Sequence, residues 1–152
     1  MPSPRVATCI FCDDVRYELG NKVSLMGIYN GEIIYPVNPP IMVPRLGLVL
    51  WLITDVDDIP ENISWRVLAP PDRTEIFKVE QDSVPPLQNA EGAVKATFRA
   101  VLQLGPITLT ESGFLEVAVD SGQGEIRAGR IFVRFAGPLI QTEIPLAEND
   151  ST

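Results

Sequence analysis

The chain has 152 residues, enough for one domain with a substantial hydrophobic core. It carries 12 basic and 20 acidic residues, a formal charge of −8, which repels phosphate backbones and anionic membrane surfaces. It contains no histidine at all, which excludes Ser-His-Asp and Cys-His catalysis and His-ligated zinc within this polypeptide.

Fourteen prolines point to a loop-rich β protein, because proline sits in turns and at strand edges but not inside helices. The N-terminus lacks the charged and apolar regions of a signal peptide. With only two cysteines as well, the expected location is cytosolic with reduced thiols.

In chain order, Val6 to Cys12 is a β-prone segment that Asp13-Asp14 is expected to halt. Lys22 to Tyr29 follows the Leu19-Gly20-Asn21 turn, with Val23, Leu25 and Tyr29 on one face. Asn30-Gly31 signals a tight hairpin, with Glu32 to Tyr35 as its short return strand. The proline-rich stretch to Pro44 reads as an irregular connection. Leu46-Gly47-Leu48-Val49-Leu50-Trp51-Leu52-Ile53 is an uncharged run, too short to span a bilayer as a helix. It reads as a central strand buried on both faces, delivering Asp55, Asp57 and Asp58 to a loop.

Ile63 to Ala69 and Glu75 to Glu80 are further strands, and Gln81 to Gly92 a long loop. Val94 to Leu104 alternates apolar and polar residues along its length, the pattern of a half-buried antiparallel strand. Phe114 to Asp120 turns at Ser121-Gly122-Gln123-Gly124 into a strand that reaches Phe135, and its apolar positions change parity across Gly129, as a bulge there would produce. The fold class that follows is all-β: a single antiparallel β-sandwich of about eight strands, immunoglobulin-like or a similar Greek key. The domain is expected over residues 1–137, with 138–152 a flexible C-terminal tail.

Cys9 and Cys12 have the spacing of a redox or zinc pair, but residues three apart on a strand face opposite ways, so buried structural thiols are the better reading. If the strands alternate up and down, the segments 13–22, 55–62, 80–92 and 120–125 share one end. Asp13, Asp14, Asp55, Asp57 and Asp58 then become candidate ligands for calcium, which takes six to eight oxygens. Paired carboxylates also suit a hydrolase, though nothing pairs a particular two. Trp51 and Trp65 sit in apolar patterns and are expected in the core. Tyr29, Tyr35 and Met42, near the Asn-Gly turn and the proline-rich loop, are the candidate contact surface.

The run from Phe11 to Tyr29 contains Cys12-Asp13-Asp14, Arg16, Glu18, Gly20, Lys22, Ser24-Leu25, Gly27 and Tyr29. It resembles the opening of an uncharacterised family of small bacterial proteins that carry these residue types at similar spacing. The resemblance covers this opening third well and implies a bacterial source and a β-rich domain. It supplies no activity, ligand or site. From the residues alone, Arg16 can pair with Asp14 or Glu18 and hold a structured corner. The functional expectation is a non-catalytic module with a protein partner, free to form homo-oligomers through an edge strand. A calcium- or ligand-binding domain is the alternative.

Overall fold

The computed structural model describes residues 3–82 and 91–137. They form β1 (Val6–Glu18), β2 (Lys22–Ile28), β3 (Glu32–Tyr35), β4 (Ile41–Val43), β5 (Leu46–Asp55), β6 (Asn62–Ala69), β7 (Thr74–Asp82), β8 (Lys95–Leu104), β9 (Ile107–Leu109), β10 (Gly113–Asp120) and β11 (Glu125–Phe135). The protein is all-β, with eleven strands among the described residues rather than about eight. The strands not expected are β4, which lies in the stretch read as an irregular connection, and β9. The expected tail lies outside the described residues, as does most of the 81–92 loop.

One sheet runs β2-β1-β5-β8, another β3-β11-β10-β6-β7, and β4 and β9 form a separate pair. Every pairing is antiparallel except β3 with β11, which is parallel and departs from the all-antiparallel expectation. Asn30-Gly31 therefore does not close a hairpin between β2 and β3. It carries the chain from one sheet to the other, where Ile33 pairs with Val133 and is buried.

The alternating strands supply one main cluster from both large sheets. Leu48, Leu50 and Leu52 of β5 and Phe98 of β8 meet Ile63, Trp65 and Val67 of β6, Leu115 and Val117 of β10, and Ile131 of β11. Trp65 is fully buried, and its indole N–H donates to Gln81 Oε1 at 3.3 Å, so its one polar atom is satisfied. Val43 and Leu109 bring the small β4–β9 pair into the same cluster.

The other face of β5 is covered too. The register puts Val49 opposite Ile10 and Val101, and a second cluster gathers Cys12, Val15 and Val49 with Val23, Leu25, Trp51 and Val101. Strand β1 does not stop at Asp13-Asp14. Beyond Cys12 it leaves β5 and pairs only with β2, through Val15 opposite Leu25 and Tyr17 opposite Val23. This outer half of the hairpin lies across β5 to reach β8, where Arg99 donates to the Asn21 carbonyl at 3.2 Å and Gln103 to Asp14 Oδ1 at 3.3 Å. Gly47 permits the crossing: a Cβ there would stand 2.8 Å from Cys12 Sγ and 2.9 Å from Val15.

In β11 the register shifts so that Val117 faces Gly129 and Ala118 faces Arg127, leaving Ala128 as the extra residue. The bulge thus falls beside Gly129, where the parity change pointed. Gly129 also admits the opposing sheet, because its Cβ would lie 3.1 Å from Cys9 Cβ.

Candidate functional site

The antiparallel pairing of β1 and β5 decides where the five acidic candidates go. Val6 lies opposite Ile53 and Cys12 opposite Gly47. Asp13 and Asp14, just past Cys12, thus sit about 26 Å along the sheet from Asp55, at about 3.3 Å per residue over the stretch from Gly47 to Asp55. The 120–125 turn does join the 55–58 end, through Gln123 and Ser121, and Asp82 joins it opposite Asn62. The 13–22 turn is the exception.

Four of the five candidate acids are engaged by neighbouring bases, hydroxyls or amides. Asp14 takes hydrogen bonds from Arg16 at 3.4 Å and Arg45 at 3.2 Å. Partial desolvation works to raise its carboxyl, but these two arginines outweigh it and hold it below the usual carboxylate range. Asp13 accepts from the Tyr29 hydroxyl. Asp55 is bonded by the Lys95 ammonium and by the Ser3 backbone N–H at 2.7 Å, which together hold its carboxyl low. Asp58 receives the buried Arg5 guanidinium at 3.0 Å and Gln123 at 3.1 Å, while Asp57 is exposed. Among the described residues, no three His, Cys, Asp or Glu side chains gather in a way that could hold a metal ion.

Beside the 55–62 end, a cleft of about 840 Å³ opens on the outer flank of β6 and β7. Its wall mixes signs: Arg5, Arg66 and Lys78 face Glu80, Asp120 and Glu125. Arg66 bridges Glu75 at 3.6 Å and also contacts Glu125. Arg5 is a clamp here, donating to both the carbonyl and hydroxyl of Ser121 and so tying the start of β1 to two loops.

Cys9 and Cys12 are free and separated, one packed against the main cluster and the other buried in the second. Burial pushes both thiols up, Cys9 strongly, so neither is poised as a thiolate nucleophile.

Of the expected contact surface, two residues turn inward. Tyr29 is half-buried on Asp13, and its phenol is raised first by burial and then by that carboxylate. Tyr35 stacks on Phe135 with ring centroids 5.8 Å apart. Met42 is open, at 64 % exposure. The surface that sequence reasoning passed over is β2. It is the free edge of its sheet, bears Lys22 as its single charge, and exposes Met26 and Ile28 on the side away from Val23 and Leu25. Tyr17 and Leu19 of the same hairpin are exposed as well. The signal was present in the alternation of 22–28, since inward Val23 and Leu25 leave Met26 and Ile28 outward.

The chain matches no known family model, and no curated protein is similar to it in sequence. Among the described residues no helix is long and apolar enough to cross a membrane.

Proposed function

We propose that the chain is a β-sandwich of the immunoglobulin-like or a related Greek-key kind that binds another protein without catalysing a reaction. The observation that carries this reading is the edge strand β2, seven residues with one charge and two outward apolar side chains. Unpaired main-chain groups on an edge invite a strand from a partner, and alternate side chains such as Met26 and Ile28 supply selectivity. The other edge strands of seven or more residues carry more charge, β7 with Lys78 and Glu80 among others and β8 with Lys95 and Arg99. The edge strands with one charge or none, β3, β4 and β9, are only three or four residues long. Two free, protonated thiols suit a reducing, cytosolic setting. The resemblance of residues 11–29 to a family of small bacterial proteins sets the source in which to look for a partner.

The test compares immobilised wild type with a Met26→Lys/Ile28→Lys variant as bait in extract from the source cells. A protein retained by the first and lost by the second is the expected result. Sedimentation of the purified chain separates a second copy pairing at β2 from a different partner. If both baits retain the same proteins and both chains sediment alike, the edge is not the binding site.

A further inference from the structure

The outer face of the five-stranded sheet holds an arginine and aromatic patch that the edge-strand reading does not use. The register sets Phe114 of β10 opposite Phe132 of β11, and Phe132 opposite Glu32 of β3. Phe114 and Phe132 meet edge to face with centroids 5.1 Å apart, and Phe114 is 41 % exposed. Ile34, one step along β3 and opposite Arg134, is also exposed. Arg130 lies over the Phe114 ring, its guanidinium carbon 4.0 Å from the centroid, and Arg134 lies over Phe132 at 5.8 Å.

Most of the charges around this patch are paired. Arg134 pairs with Glu32, Arg127 and Arg73 share Glu116, and Arg73 reaches Glu125 as well. Arg130 sits opposite Glu116 in the ladder, yet among the described residues it has no ion pair. Among the described residues its guanidinium meets no carboxylate and sits over an aromatic ring, which leaves it able to take an incoming carboxylate in a fork while keeping its ring contact.

We propose that this face docks a short acidic peptide segment bearing an apolar side chain: a carboxylate on Arg130, the apolar group against Phe114, Phe132 and Ile34. Arginine and aromatic side chains are the groups that dominate protein–protein binding energy. The choice of a short peptide over nucleic acid follows from range. At physiological salt charges are screened within about 8 Å, so a peptide meets only the local arginines. A long polyanion meets the whole chain, whose charge is −8.

The surface is separate from β2, and the experiment keeps the two readings apart. A fluorescently labelled synthetic peptide of alternating glutamate and phenylalanine is titrated with the full chain at physiological ionic strength. Its lysine–phenylalanine counterpart and a long single-stranded oligonucleotide run in parallel. The acidic peptide is expected to bind, the lysine peptide and the oligonucleotide to bind much less. Arg130→Glu and Phe114→Ala should each weaken the acidic peptide about tenfold or more, with circular dichroism unchanged. The Met26→Lys/Ile28→Lys chain should bind it as wild type does. Equal affinity in Arg130→Glu, oligonucleotide binding as tight as the peptide, no binding of the acidic peptide, or its loss in the β2 variant would each overturn the proposal.

Discussion

Gly27 has no room for a side chain. Its φ is +66°, and a Cβ would fall on the Asp13 carboxylate that accepts the Tyr29 hydroxyl. Three residues of the opening motif are thus one clasp, which turns the chain out of β2 toward the second sheet. Gly27→Ala should destabilise by more than about 1 kcal/mol in a denaturant titration, and by more than Gly31→Ala, whose left-handed position faces open space. Elsewhere in the motif, Arg16 pairs with Asp14 and Ser24 donates to Glu18 at 3.0 Å, so the architectural role fits these residues too. The spacing of Asp13, Gly27 and Tyr29 was visible in the sequence. That they touch was not, because the contact spans a whole hairpin. Arg5 is the other residue on which much depends. With its side chain only 5 % exposed and bonded to Asp58 and Ser121, its truncation to alanine leaves Asp58 without its cation and should cost about 3 kcal/mol by thermal or chemical unfolding. Nothing near Arg5 in the sequence announces this, since both partners lie more than fifty residues away.

At the scale of elements, the β1–β2 hairpin and β5 explain each other. The apolar run 46–53 demanded cover on both faces, and the structure supplies it with the main core beneath and the crossing hairpin above. The upper cover builds a small satellite cluster, Cys12 and Val15 buried on Val49 of β5 with a rim of half-buried residues, latched by exposed hydrogen bonds to Asn21 and Asp14. Small clusters with exposed latches open at lower free energy than the global core. Arg99→Ala should therefore speed amide hydrogen exchange in 13–25 while leaving β5 and β10 protected, as read by mass spectrometry. Uniform acceleration over the whole chain would show instead that the hairpin is no separate unit. The sequence placed a stop at Asp13-Asp14 because acids end strands; β2 kept the strand going by pairing with it, and Arg45 and Arg16 neutralised Asp14. The bulge in β11, by contrast, was legible within one residue, because a surplus residue in a strand flips the parity of a pattern that is local.

For the whole molecule, charge sets the pH response. The Lys95 hydrogen bond, with help from the Ser3 N–H, depresses the Asp55 carboxyl below its ordinary 3.8, and the arginines do the same at Asp14. A carboxyl with a depressed folded value contributes stability that is complete above the unfolded value and is lost as pH falls through the folded one. Unfolding midpoints should therefore hold steady around pH 6 and drop below about pH 4, and the difference between wild type and Lys95→Met should vanish in strong acid. At the alkaline end the phenol of Tyr29 is raised by burial and by Asp13, so its contribution is present below 10.0 and is lost as pH rises beyond it. Calcium is the remaining whole-molecule test. A ligand held only by the folded state must raise the unfolding midpoint. With Asp55 and Asp58 already joined to Lys95 and Arg5, millimolar calcium is expected to leave it unchanged in a thermal melt.

The sequence by itself determined the all-β class, most of the strand positions, the core role of Trp65 and the two-sided burial of β5. Each of these follows from a period of two or an apolar run, which neighbouring residues set together. Only the tertiary structure decided which strands meet: the parallel seat of β3 on β11, the separation of Asp13 and Asp14 from Asp55 and Asp58, the inward turn of Tyr29 and Tyr35, and the opening of β2 as an edge. Those depend on partners far apart in the chain, chosen by where buried faces and opposite charges can be satisfied at once, and no local pattern encodes that choice.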